Sequence, residues 1–177
     1  NIPAGTYTIT LDGTDDTNAL GDFDITDDVN IVGAGSGSTI IQEGTTLGTA
    51  VDRIFHVTNS SAVTIEAVKV RFGKITASGG CIYAASDITI KDSIVDSCTA
   101  TNTHGGAIYS GGAVTIDNST VSTGTAGLNG GGIYTYGMTI TNGATIQDNY
   151  AVNKGGGIYN NGSANAITGD GTITFTN

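Results

Sequence analysis

Basic residues are scarce in this chain. Lys and Arg number 6 against 16 Asp and Glu, for a net charge of −10. A chain this acidic repels a phosphate backbone, so nucleic acid is excluded as a partner, and an anionic membrane surface is disfavoured on the same ground. Proline occurs once. No apolar run approaches the roughly 20 residues that cross a bilayer as a helix, so this segment inserts no such helix. Leu, Lys, Glu and Arg, the strong helix formers, are thinly used. The two cysteines, Cys81 and Cys98, are too few for a disulfide framework. One small-loop disulfide and two buried thiols both stay open, with the thiols preferred, and neither says much about compartment. No signal peptide is visible. The chain opens on "NIPAGTYTIT", which already reads as folded sequence, of a processed chain or a piece of a longer one.

What the chain has in plenty is glycine, 28 residues, together with Thr, Ile and Val. That mix favours strands and tight turns. The glycines are also phrased. "GGCIY" at Gly79 to Tyr83 returns as "GGAIY", "GGGIY" and "GGGIY", ending at Tyr109, Tyr134 and Tyr159. Ile82, Ile108, Ile133 and Ile158 are spaced 26, 25 and 25 apart. A second phrase follows each of the first three, with Ile90, Ile116 and Ile140 at its centre. A third apolar point is Val95, Val121, Ile146 and Ile173. "AVTIEAVKV" extends the frame upstream through Ile65 and Val70. A fixed period of this length without helical periodicity signals a solenoid.

Alternation inside each unit is strand-like. Val63, Ile65, Ile88, Ile90, Val114, Ile116, Met138 and Ile140 are assigned inward. Thr64, Thr89, Thr115 and Thr139 are assigned to an outward column, beside a column Glu66, Lys91, Asp117 of alternating sign. Gly is expected at corners, where φ turns positive or neighbouring coils touch. Asp92, Asn118 and Asn142 are expected at another corner. Tyr83, Tyr109, Tyr134 and Tyr159 follow as an exposed aromatic ladder that either stacks on itself or offers its faces to a glycan. The fold class is all-β, a right-handed parallel β-helix of about seven coils of roughly 25 residues. It is read as one domain, with irregular N-terminal coils over 1–58 and regular repeats over 59–177.

Other motifs are weaker. "GAGSG" at Gly33 to Gly37 precedes another strand and not a helix, so it is a corner and no phosphate loop. Seven carboxylates crowd the first 28 positions. Of these, Asp15, Asp16, Asp22 and Asp24 are candidate calcium ligands, but the spacing matches no known calcium loop and a solvated acidic face is preferred. His56 and His104 are isolated in the sequence and are assigned no role. An ice-binding face is disfavoured, because charges run beside the threonine column.

The phrases "GGAIYS", "GGGIYT" and "GGGIYN", each followed by a strand, resemble polymorphic outer membrane protein repeats, which pair a Gly-Gly-Ala-Ile motif with Phe-x-x-Asn. Ile146-Gln147-Asp148-Asn149 matches the second motif in part; Cys98 and Gly124 stand at its Asn position in earlier coils. "IPAGTYTIT", "GDFDITDDVNIVGAG", "TIIQ" and "DRIFHV" are similar to bacterial surface proteins with the CSLREA domain, whose namesake motif does not occur in the chain. The resemblance spans nearly the whole sequence. It implies a right-handed parallel β-helix, secreted or displayed on a cell surface, with an adhesive, structural or stalk role, and it does not imply an enzyme.

The expected function is therefore a structural or adhesive module that self-associates end to end as a fibre subunit, or adjoins further domains. A glycan is the expected ligand class if there is one. The rival class is a polysaccharide lyase or glycosidase, which needs a carboxylate pair or a cation with a basic proton acceptor. Lys69, Arg71 and Lys91 are the only residues that could supply that base.

Overall fold

The computed structural model describes residues 1–11, 13, 18–59, 62–167 and 174–176. Twenty-one short strands wind as a parallel solenoid, and no helix occurs among the described residues. The first turn holds β1 (Gly5–Ile9), β2 (Phe23–Ile25) and β3 (Val29–Val32). The second holds β4 (Thr39–Glu43), β5 (Phe55–Val57) and β6 (Val63–Glu66). From the third turn a further short strand appears: β7 (Lys69–Arg71), β8 (Lys74–Ile75), β9 (Ile82–Ala84) and β10 (Ile88–Lys91). The fourth repeats this with β11 (Ile94–Asp96), β12 (Thr99–Ala100), β13 (Ile108–Ser110) and β14 (Ala113–Asp117). In the fifth, β15 (Thr120–Ser122) and β16 (Thr125–Ala126) lead into a fused strand, β17 (Ile133–Thr141). In the sixth, β18 (Thr145–Gln147) and β19 (Tyr150–Ala151) lead into β20 (Ile158–Ile167), and β21 (Thr174–Thr176) closes the described chain.

Like strands stack into three sheets. One runs β1-β4-β7-β11-β15-β18-β21, a second runs through β2, β5, β9, β13 and β17 and back through β14, β10, β6 and β3, with β20 on β17, and the third is β8-β12-β16-β19. Only four turns carry a strand in the third sheet, so complete turns are fewer than the seven coils expected. Among the described residues the first two turns carry no strand in that sheet, and the connections 10–22 and 44–54 are the longer ones in sequence.

Register follows the sequence frame. Ile65, Ile90, Ile116 and Ile140 stack directly. Each is at most 1% exposed. Thr64, Thr89, Thr115 and Thr139 stack on the other face of the same strands. Beside them the Lys91 ammonium meets Glu66 at 2.8 Å. Asp117 instead accepts hydrogen bonds from Thr141 Oγ1 at 3.0 Å and Asn142 Nδ2 at 2.6 Å. A one-residue slip would turn the isoleucine columns outward, so burial itself fixes the register. One column departs from expectation: Phe175 pairs with Ile146, while Ile173 lies outside the described residues.

Three corners repeat up the stack. At the first, Ala67, Asp92, Asn118 and Asn142 take φ between 44° and 56°. There Asn118 Nδ2 donates to Asp92 Oδ1 of the turn below at 2.6 Å. At the second, Phe72, Ser97, Thr123 and Asp148 take φ between 50° and 72°. The third corner explains the repeated phrase. Its first glycine (Gly79, Gly105, Gly130, Gly155) has φ of 64° to 74°. Its second is a contact glycine: a Cβ on Gly106 would sit 2.1 Å from Gly131 O and 2.5 Å from Thr125 N. Those atoms are backbone of the next turn and cannot yield, so Gly alone fits.

Cys81 and Cys98 form a disulfide, correcting the preference for thiols. Cys81 lies between β8 and β9 of the third turn and Cys98 between β11 and β12 of the fourth, so the bond staples neighbouring turns. The sequence hides this because a separation of 17 says nothing of the corner that brings the two columns together. Two turns up, the equivalent of Cys98 is Asn149. Its Oδ1 accepts from Gly124 N at 2.8 Å and its Nδ2 donates to Val121 O at 3.0 Å. A buried amide thus clamps turns where the sulfurs do so below.

Candidate functional site

The tyrosine of each repeat stacks on the next. Tyr83 and Tyr109 lie 5.1 Å apart with planes 8° from parallel, Tyr109 and Tyr134 5.1 Å and 11°, and Tyr134 and Tyr159 5.3 Å and 24°. Strand pairing dictates this, since residues in register repeat at the strand spacing and aromatic rings fill it. The expectation of an exposed ladder is corrected. Tyr134 is 6% exposed, and the other three are half-buried. Each inner ring gives both faces to its neighbours, so edges and hydroxyls are what remain for a partner. Tyr136 packs edge-on against Tyr134 at 5.8 Å. Burial, reinforced by the hydrogen bond to Tyr136, pushes the Tyr134 hydroxyl well above its ordinary range. Tyr136, accepting from Tyr134 and Asn161, is held below it. Burial also raises Tyr109.

The ladder does not stop at Tyr83. His56 pairs in register below it, and Asp24 below His56. The His56 ring stands edge-on to Tyr83 at 5.2 Å, and its Nδ1 lies 3.1 Å from Asp24 Oδ1. His104 comes from outside the column, lying against Tyr134 at 4.6 Å. Its Nδ1 is buried without a hydrogen-bond partner among the described residues. Burial lowers its pKa from the usual 6.5. Both histidines, isolated in the sequence, thus belong to one aromatic stripe. The signal that could have found His56 is its position 27 residues before Tyr83, close to the repeat period.

Around the foot of the stripe, acidic and basic groups gather. Asp22 and Asp24 flank Phe23 on the outward face, as alternation requires. Asn18 packs against Asp24 and Arg53 against Asp22, so these two do not form the solvated face expected. Asn18 N donates to Asp24 Oδ2 at 2.8 Å, and Asp24 N donates to Asn18 Oδ1 at 2.7 Å. The side chain of Asp24 is 1% exposed and that of Asp22 2%. Arg53 Nη1 reaches Asp22 Oδ2 at 3.6 Å, and its guanidinium carbon lies 5.4 Å from the Tyr83 ring centre. Asp52, also buried, accepts from Arg53 N at 2.8 Å. Burial raises its carboxyl above the ordinary value, against the opposing pull of Arg53. One donor atom from each of Asp22, Asp24 and His56 falls within 4.8 Å of the others. Of the calcium candidates, Asp22 and Asp24 are therefore brought together, and a histidine joins them; Asp15 and Asp16 lie outside the described residues.

The cations named for the enzyme reading are all engaged. Lys69 meets Asp96 at 3.4 Å, Lys91 meets Glu66, and Arg71 Nε donates to Gln42 Oε1 at 2.9 Å. Lys69 and Arg71 project from β7 and Lys91 from β10, in different sheets, so they converge on no common groove. Two cavities flank the first turn. One, of about 500 Å³, is lined by Ile2, Phe23, Ile25, Val29, Ile31 and Phe55 among others. The other, of about 460 Å³, runs along Tyr7 to Leu11 and Asn18 to Phe23. Comparison of the chain with protein families, with curated proteins and with solved structures gave no match.

Proposed function

We propose that the chain is a non-catalytic structural or adhesive segment of an extracellular or cell-surface protein, and that its first turn accepts a further turn of parallel strands from a second copy. The observation that carries this reading is the edge at β1, β2 and β3. Each of these strands is terminal in its sheet. Over them lie residues that higher turns bury: Phe23 is 47% exposed and Val29 37%. Unpaired strand edges beside open apolar surface favour strand addition. A head-to-tail contact of this kind propagates into a filament unless its rotation closes a ring. The paired state of Lys69, Arg71 and Lys91 supports the non-catalytic reading over a glycan-cleaving one, since none is left as a proton acceptor. Light scattering and electron microscopy of the purified chain test the assembly. Filaments that disappear in Val29→Lys support it; a chain that stays monomeric at high concentration refutes end-to-end stacking.

A further inference from the structure

We infer that Asp22, Asp24 and His56 form a binding site for one divalent cation of the zinc class. Three features carry this. The first is placement. Asp24 and His56 are register partners on adjacent strands, and Asp22 precedes Asp24 by two residues on the same face. Two strands held by backbone hydrogen bonds therefore aim three donors at one point, within 4.8 Å of one another. Two ligands bound to one ion at about 2.0–2.2 Å each lie at most about 4.4 Å apart, so small side-chain rotations bring this set onto a single ion.

The second is charge. Asp22 and Asp52 and the side chain of Asp24 are buried, and Arg53 is the one full cation among them. Three carboxylates against one guanidinium leave two negative charges, which a divalent ion cancels. Buried charge without a counter-ion is costly, so the arrangement favours a cation over an empty cluster. Arg53 does not have to leave when Asp22 turns to the ion, because its guanidinium also lies over Tyr83 and beside Asp52. The third is an unfilled donor. Arg53 is 8% exposed, and its buried Nε has no hydrogen-bond partner among the described residues. A water completing the coordination of the ion supplies the acceptor that this group lacks.

The donor set decides the class of ion. Imidazole with carboxylates suits zinc and its neighbours, whereas calcium takes six to eight oxygens and no nitrogen. The groove along Leu20, Gly21 and Asp22 gives the ion its way in. Neither the site nor its test depends on end-to-end assembly.

The experiment uses the whole chain, stripped with chelator and titrated with zinc chloride by calorimetry and by NMR of the imidazole protons. The chain has only two histidines, so His104 is an internal reference. The expected result is one equivalent of zinc bound, with the His56 signals moving and those of His104 staying. His56→Gln and Asp24→Asn should each weaken binding by about tenfold or more, and Asp87→Asn should not. No heat of binding, a His56 signal that does not move, or calcium binding as tightly as zinc each overturns the proposal. The NMR arm needs no variant, so it decides even where a substitution harms folding.

Discussion

Truncating Ile108 to Ala tests the column architecture most directly. Ile108 is fully buried, paired with Ile82 below and Ile133 above. The change removes three carbons, worth about 0.8 kcal/mol each in transfer from water. The flanking strands are locked by ladder hydrogen bonds and cannot close the gap, so a cavity term adds to this. The expected loss is about 3–4 kcal/mol, inside the range for large-to-small core changes. For a domain of this size each kcal/mol lowers Tm by about 2–4 °C, giving a drop of roughly 10 °C. Thr115→Ala, on a half-buried column of the same sheet, should cost less than about 1 kcal/mol. Ile108→Asp should not fold, since no cation lies in the isoleucine column to pair with the charge. Thermal melts followed by circular dichroism at the β-sheet band read all three. Equal shifts for Ile108→Ala and Thr115→Ala would refute the inside–outside assignment and with it the stacked register.

Two further outcomes are open to simple measurement. Reducing the Cys81–Cys98 bond, whose residues are 17 apart, should cost about 3 kcal/mol of loop-closure stabilisation; a melt unchanged by reductant, or two titratable thiols in the folded oxidised chain, contradicts the staple. Because burial depresses the His104 pKa below 6.5, the unfolded chain binds its proton first as pH falls, so stability is full above about pH 6.5 and declines below it until the folded pKa is reached. His104→Asn should flatten that part of the pH profile, and an unaltered slope would show that the ring is not desolvated.

The repeats were legible because their turns are alike. Where Ile, Thr and Gly recur every 25 or 26 residues, period, register and corner all read directly, down to the doubled glycine whose two members do different work. Legibility fails where a turn changes length or a column changes chemistry. Asp24 and His56 are 32 apart because the 44–54 connection lengthens the second turn, and Asp, His and Tyr do not look like one column. The burial of Asp22 and Asp24 came with partners such as Asn18 and Arg53, which no local pattern brings to them. Phe175 took the place expected for Ile173 because the last connection does not keep the period. The disulfide was hidden for a different reason: its partners belong to different columns, which meet only through the left-handed corner at Phe72 and Ser97.

That staple bears on how the molecule yields to tension. A solenoid pulled at its ends releases residues turn by turn, each adding about 3.5 Å of contour. The loop closed by Cys81 and Cys98 holds back 17 residues, roughly 60 Å of reach at that rise. While the bond is intact the third and fourth turns stay tethered even when their hydrogen bonds have parted. Slack in the N-terminal turns can therefore run out without freeing the covalent link at mid-chain. Extension curves recorded with and without reductant should differ by that length, and identical curves would show that the link carries no load.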